Sequence, residues 1–387
     1  MPAASFFLPL WDRAAEWHRR LAMIRDARQF IYLSTFYIEW DAYGQALLDA
    51  LDDAQGRGVQ VNLLVDGYGQ TLGGVLMTAP QRRELARRLA GLRAGGGIVT
   101  FYRPGGLVQR SIGGGQHVKI QVADTGEAIF GSSNITRTSF EDWNEYCVAL
   151  RGPVVRTLLA GFPDLGGPLR QEHLEALEAL EALGGDPAEA DHLLDYWVCN
   201  PNLLQGRLGP LRWRGENEVT ERMIAMCDAA RTSLAITAFY FKPVPRLMAA
   251  VLRAAGRGVR VEVFHSHRTA LPATALAWIA AAANYGPLLR AGVVIRENRR
   301  GEHSKIVLVD EAWVAFGSYN FEDAAHDRLA EAMLASRDPR ALMPARAILD
   351  ELRGAPDNVL VTPESFAALP LGLRLRIAAL GPFKWWM

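Results

Sequence analysis

Read for the placement of apolar residues, the chain falls into short buried runs separated by helical stretches. Lys305-Ile306-Val307-Leu308-Val309-Asp310 is apolar and β-branched between charged ends, the pattern of a buried strand. Residues 312–316 read as the returning strand, with Asp310-Glu311 in the turn, and residues 119–124 and 128–130 repeat the same pair. Helical periodicity covers 13–28 and 216–231, each followed by a strand. Further helices are predicted over 44–55 and 244–255, each ending at a Gly-Arg-Gly-Val turn (Gly56 to Val59, Gly256 to Val259) ahead of another strand. A helix is also expected over 80–93, and a charged amphipathic connector helix over 171–183. Alternating helices and strands predict an α/β architecture.

The pattern is a duplication. Phe36-Tyr37 matches Phe239-Tyr240, and the two Gly-Arg-Gly turns lie 200 residues apart. A polar cassette then recurs at an offset of 186: His117-Val118-Lys119, Asp124 and Gly131-Ser132-Ser133-Asn134 match His303-Ser304-Lys305, Asp310 and Gly317-Ser318-Tyr319-Asn320. Glu145 and Glu331 fall 28 residues after His117 and His303. The drop in offset gives the first copy 14 extra residues, around 71–115. That stretch ends in Gly113-Gly114-Gly115, which reads either as a mobile lip of the site or as a long surface loop. The expected organisation is a first domain over 1–165, a connector over 166–210, a second domain over 211–345 and a tail over 346–387.

Charge narrows the chemistry. Lys plus Arg equals Asp plus Glu, at 42 each, whereas a non-specific nucleic-acid binder is visibly basic. No nucleic-acid partner is therefore expected. Only four lysines occur (Lys119, Lys242, Lys305, Lys384), and two of them sit in the cassettes. Cys147, Cys199 and Cys227 show no metal spacing and no even disulfide set, and read as reduced, buried thiols of a cytosolic protein. The opening Met1-Pro2-Ala3-Ala4 predicts no secretory leader.

Two such cassettes suit a phosphodiester. Its nonbridging oxygens need fixed positive charge and donors, here Lys119, Lys305, Ser132, Ser318, Asn134 and Asn320. One imidazole attacks phosphorus and the other protonates the leaving alkoxide. Histidine fits both tasks because its ordinary pKa of about 6.5 makes both protonation states reachable. His and Lys two apart on a strand share a face. Glu145 and Glu331 are expected to orient the rings. Asp124 and Asp310 fall at strand ends, where a turn role is at least as well supported as a catalytic one. No metal or cofactor is required.

The double H-x-K-x4-D-x6-G-S motif resembles the phospholipase D superfamily, with Asn one place earlier than usual in both halves. Ile31 to Ile38, Gly56-Arg57-Gly58-Val59, Leu64 to Gly69 and Gly152-Pro153-Val154 are similar to the cardiolipin synthase branch, as are Phe239-Tyr240-Phe241 and Ala291 to Ile295. The resemblance covers roughly 20–340. Its departures are Asn320-Phe321-Glu322-Asp323 after the second Gly-Ser, and Ala330 where the first half has Asn144. It implies two tandem phospholipase D-like α/β domains in pseudo-twofold contact around one shared site. It also implies phosphatidyl transfer through a phosphohistidine; His117 is assigned as nucleophile and His303 as general acid, two roles that the pseudo-symmetry makes nearly interchangeable on sequence. Hydrolysis of phospholipid to phosphatidic acid, and a phosphodiesterase or nuclease on the same scaffold, are the alternatives. The expected partner is phospholipid at a membrane surface, bound peripherally at the cytoplasmic face of the inner membrane; the oligomeric state is left open. Residues 269–289 are too interrupted to span a bilayer, and are expected to form either a core helix or an acyl-chain cradle. Ser5 to Trp11, residues 371–380 with Arg374 and Arg376, and Phe383-Lys384-Trp385-Trp386 are expected either to attach to the membrane surface or to pack on the protein.

Overall fold

The computed structural model describes residues 3–183, 192–203, 216–271 and 275–381. In the first half the elements run β1 (Phe6–Leu10), α1 (Arg13–Asp26), β2 (Phe30–Thr35), α2 (Ala42–Gly56), β3 (Gln60–Asp66), α3 (Gly67–Leu76), α4 (Ala79–Ala94), β4 (Ile98–Tyr102), α5 (Leu107–Ser111), β5 (Lys119–Ala123), β6 (Glu127–Gly131) and β7 (Cys147–Arg151). After α6 (Pro153–Ala160) and α7 (Gln171–Leu183), the second half runs β8 (Asp195–Cys199), α8 (Glu218–Ala229), β9 (Ser233–Thr237), α9 (Pro245–Gly256), β10 (Arg260–Ser266), α10 (Leu276–Ala282), α11 (Tyr285–Arg290), β11 (Val294–Asn298), β12 (Ile306–Val309), β13 (Trp313–Gly317), α12 (Asp323–Asp327) and β14 (Leu329–Ser336). It closes with α13 (Pro339–Gly354), β15 (Asn358–Val361), α14 (Pro363–Ala367) and α15 (Leu371–Leu380).

The strand orders show the duplication directly. The first sheet is β1-β7-β6-β5-β2-β3-β4, and the second is β8-β14-β13-β12-β9-β10-β11-β15. In each, three neighbouring strands are parallel (β2, β3 and β4; β9, β10 and β11) and the other neighbours in the order are antiparallel. Alternation sorts the side chains into layers. Ile306 and Leu308 of β12 enter a core shared with Ile120 and Val122 of β5, while Val307 and Val309 enter the second half's own outer core. The shared core lies between the sheets, where the Tyr146 ring meets Phe316 at 5.3 Å. The fold is thus α/β, with two repeats packed through their sheets.

Several expectations change. Residues 5–11 do not form a free amphipathic arm: β1 is an edge strand on β7, Phe7 packs 6.0 Å from Phe316, and the Trp11 indole donates to Glu351. The 371–380 helix turns Ile377 into the second half's core, and leaves Leu371 and Leu375 outside. Phe383 to Trp386 lie outside the described residues. Residues 276–290 form two short helices whose Trp278, Ile279 and Tyr285 are core, which answers against an acyl-chain cradle there. Strand β8 comes from the expected connector and β15 from the expected tail, yet both belong to the second sheet. No described helix is long and apolar enough to cross a membrane.

The cassette aspartates are accounted for at this level. Asp124 accepts from the backbone N–H groups of Arg28 and Gln29. Asp310 accepts from the N–H groups of Arg231, Thr232 and Ser233 and from the Thr232 hydroxyl. Each ties the end of one strand to the turn before its neighbour, on the side of the sheet away from the histidines. Replacing Asp310 by Ala should cost about 1–2 kcal/mol of stability, seen as a lower Tm, with turnover per folded molecule unchanged. Loss of turnover without loss of stability would show a catalytic role instead.

Candidate active site

The two halves meet through their backbones at the histidines. Gly115-Gln116 runs parallel to Leu329-Ala330, and the His117 N–H donates to the Ala330 carbonyl at 2.8 Å. In the matching place the His303 N–H donates to the Asn144 carbonyl, also at 2.8 Å. The acceptor in each case is the residue just before a cassette glutamate. Each imidazole is therefore registered against the carboxylate of the other half. Gly131 and Gly317 are needed in the neighbouring strands, because a Cβ there would come within 2.3 Å of the Tyr146 or Ala332 carbonyl.

His303 Nδ1 lies 2.8 Å from Glu145 Oε2. His117 Nδ1 lies 3.1 Å from Glu331 Oε1, out of line for a hydrogen bond, and bonds the Ser318 carbonyl at 3.1 Å instead. A carbonyl has no proton to give, and neither does an ionised carboxylate, so both rings carry a proton on Nδ1 and present Nε2. The Phe36 ring meets His117 edge-on at 4.7 Å. Trp143 stacks on His303 at 4.9 Å, and Phe239 meets it at 4.8 Å. Both histidines are only 4% exposed, so the reacting nitrogens sit in a nearly closed enclosure.

The serines differ from expectation. Ser132 Oγ donates to Glu145 at 2.5 Å and accepts from the Tyr146 N–H; Ser318 Oγ donates to Glu331 and accepts from the Ala332 N–H. Their protons serve the glutamates rather than a ligand. The amides fit a ligand better: Asn134 and Asn320 each hold a buried Oδ1 with no hydrogen-bond partner. Lys119 and Lys305 are 1% exposed and fold back onto the carbonyls of His117 and His303.

The glutamates are not equivalent. Glu145 also accepts from the Ser139 hydroxyl at 2.8 Å, and the residue 186 places later is Ala325. Burial pushes both carboxyls up. The His303 pairing, Lys305 and Ser132 nevertheless bring Glu145 down to about 2. Glu331 stays at about 8, against the pull of Lys119, Ser318 and Lys305. Near neutrality Glu145 is ionised and Glu331 holds its proton. Burial and the facing lysines push His117 well below its ordinary value. Burial takes His303 to about 3 against the pull of Glu145. Burial and Lys305 bring Lys119 to about 7, and burial brings Lys305 to about 8 despite Glu145 and Glu331.

Sequence reading missed Ser139, Trp143 and the pair Lys242–Glu322, whose Nζ and Oε2 are 3.6 Å apart. Glu322 also accepts from the Asn320 amide at 3.3 Å. Setting the halves side by side exposes these positions, since Ser139 faces Ala325, Trp143 faces Leu329, and Thr136 faces Glu322. In the Gly113 to Gly115 stretch, Gly115 pairs with Leu329 across the halves, and a Cβ on it would meet the Asp66 carboxylate at 2.4 Å.

Two outcomes follow from this asymmetry. Glu145→Gln should lower kcat by about 100-fold or more, with KM little changed, because it removes the charge behind His303. Glu331→Gln should cost about tenfold or less, because a protonated carboxyl already resembles an amide. Equal losses would contradict the assigned charges. Separately, a lysine binds phosphate only while protonated. In the free protein kcat/KM should fall as pH rises through about 7 to 8, far below the ordinary lysine range. A profile flat to pH 9 would show that both ammoniums keep their protons.

A family profile described as "Cardiolipin synthase, PLD-like domain" matches residues 21–162 and 223–353. Cardiolipin synthase B of Salmonella typhimurium is 28% identical over 328 residues, 81% of this chain and 72% of that one. Cardiolipin synthase A of Pseudomonas aeruginosa is 27% identical over 332 residues, 81% of this chain and 60% of that one. Phosphatidylserine synthase of Haemophilus influenzae superposes with a TM-score of 0.72 at 17% identity, over 98% of this chain and 93% of that one, a likeness of fold. With its two histidine cassettes meeting at one site, the chain is an enzyme of the phospholipase D superfamily and belongs to the family of PLD-like cardiolipin synthase domains.

Proposed function

We propose that the protein moves a phosphatidyl group from one glycerophospholipid to a second alcohol, in the simplest case converting two phosphatidylglycerols to cardiolipin and glycerol. His117 Nε2 attacks phosphorus, the bond to the head-group oxygen breaks, and that oxygen takes a proton from His303. The head-group alcohol leaves and a phosphatidyl-histidine remains. His303 then takes the proton of the incoming hydroxyl, whose oxygen attacks phosphorus, and the P–N bond breaks to free His117. Lys119, Lys305 and the Asn134 and Asn320 side chains hold the phosphoryl oxygens and the entering hydroxyl.

The observation that carries the reading is the pair of buried imidazoles held through Nδ1 by the opposite half, with two ammoniums beside them. The division of roles rests on their partners. His303 is backed by ionised Glu145, which stabilises an imidazolium and suits a proton carrier. His117 is held by a neutral carbonyl beside two lysines, which keeps it uncharged and suits a nucleophile. In the empty site both rings are neutral. The substrate's negative charge supplies the field that lets His303 bind its proton. Transfer to an alcohol rather than to water is supported by the aromatic walls and the low exposure.

Mass spectrometry of lipids after incubation with mixed phospholipid vesicles tests this directly. Cardiolipin or another head-group-exchanged lipid is expected, absent with His117→Ala and with His303→Ala. Phosphatidic acid alone would make water the acceptor. Unchanged lipid beside cleaved oligonucleotide would move the substrate to nucleic acid. A wild-type rate in His117→Ala would rule out the covalent step assigned to it.

A further inference from the structure

The helix α3 is built inside out. Its glycines Gly67, Gly69, Gly73 and Gly74 are buried, while Tyr68, Leu72, Val75 and Leu76 form one outward stripe at i, i+4, i+7 and i+8. Val75 is 73% exposed. Four glycines in ten residues disfavour a helix; what they allow is close approach. A Cβ on Gly69 would lie 2.5 Å from the Phe36 ring, and one on Gly73 would lie 2.5 Å from Tyr37. The helix is thus pressed against the aromatic pair beside His117, with its large apolar side chains turned to solvent. Leu107 and Val108 of α5, 80% and 66% exposed, extend the apolar surface. The Tyr68 ring packs on Gly113, which joins α5 to the strand leading into His117. Of the sixteen large apolar side chains exposed among the described residues, six belong to these two helices, so the patch is a concentration rather than scatter.

Charge is biased in the same place. Residues 67–83 and 101–116 carry Arg82, Arg83, Arg103 and Arg110 and no acidic residue, in a chain whose charges balance overall. Arg82 holds the carbonyls of Gly74 and Met77, Arg110 holds that of Pro104, and Arg103 borders Gly67. Aliphatic groups surrounded by arginines match an interface of acyl chains beneath anionic head groups. Ten of the 14 residues by which the first copy exceeds the second fall between β4 and His117, since the offset is 196 at β4 and β11 and 186 at the histidines.

We propose that the α3–α5 face docks on an anionic phospholipid bilayer, placing the His117 side of the site against the leaflet. The N-terminal strand, paired into the first sheet, is then not the attachment. The proposal deepens the phospholipid reading of the site, and it is tested without turnover.

The experiment is flotation of the full chain with vesicles of phosphatidylglycerol and phosphatidylcholine, or of phosphatidylcholine alone. The expected result is flotation that depends on phosphatidylglycerol and weakens with salt. Val75→Asp combined with Leu107→Asp and Val108→Asp should lower the bound fraction about tenfold or more, with an unchanged melting curve. Arg83→Ala with Arg103→Ala should remove the phosphatidylglycerol preference, and Leu371→Asp with Leu375→Asp should float like wild type. Wild-type flotation of the apolar variant, or no flotation of wild type, would overturn the proposal. So would a wild-type dimer by light scattering that the same variant converts to monomer, since the face would then cover a second copy. Turnover of monomeric dihexanoyl phosphatidylglycerol separates the two readings. A variant that still turns it over but no longer floats supports the docking face. Intact flotation without turnover of any phospholipid supports the face and sinks the proposed reaction.

Discussion

Two main-chain hydrogen bonds across the pseudo-twofold organise this molecule. They run from His117 to Ala330 and from His303 to Asn144, each 2.8 Å. Because each acceptor immediately precedes a glutamate, the bond fixes the imidazole of one half against the carboxyl of the other. Neither repeat contains a complete histidine–carboxylate pair. The shared core between the sheets, the Tyr146–Phe316 contact and the glycines that let strands approach all serve to hold that register. The Asn144-to-Ala330 difference between the halves is immaterial here, since the carbonyl does the accepting and both residues have one.

The symmetry of the backbone makes its breaking informative. Ser139 completes the hydrogen bonding of Glu145, and Ala325 leaves Glu331 Oε1 without a partner. A buried carboxyl short of donors keeps its proton, and one with three keeps its charge. The hydrogen bond from His303, with Lys305 and Ser132, holds Glu145 ionised, whereas His117 bonds the Ser318 carbonyl and Glu331 keeps its proton. The Lys242–Glu322 pair adds to the difference, because the first half carries Glu39 and Thr136 at the corresponding places. Two identical halves would present two equal histidines. A displacement that needs a base and an acid at the same moment benefits from inequality.

Much of this was legible in the sequence because duplication supplies an internal control. A lone His-x-Lys has no special meaning, but the same spacing at a constant offset of 186 located the histidines, lysines, asparagines and glutamates and the α/β alternation around them. The crossing of the pairs was not legible. Spacing along the chain places Glu145 with His117, and only the packing of the sheets places it with His303. The serines were misread for a related reason: their offset gives their neighbourhood but not the direction of the hydroxyl, which the Tyr146 and Ala332 N–H groups determine. At the N-terminus, aromatic residues near cations look alike whether they face lipid or, like Phe7, a core. The apolar stripe on α3 was hidden by its glycines, which disfavour a helix.

The choice of lysine for the phosphate has a physical reason. Only four of the 42 basic residues are lysine, so arginine was the readier option, and arginine forms the stronger bidentate contact with phosphate. Two guanidiniums in this enclosure would remain charged and face one another when no substrate is bound, since arginine does not release its proton. Two buried ammoniums can. Burial brings Lys119 to about 7 and Lys305 to about 8, so the empty site sheds part of its positive charge near neutrality, and an arriving phosphodiester restores it. Glu331 compensates from the other side, holding its proton at about 8 when a second carboxylate is not required. The site can therefore be nearly closed between turnovers without keeping a pair of unneutralised charges buried, which a fixed-charge arrangement of the same geometry could not do.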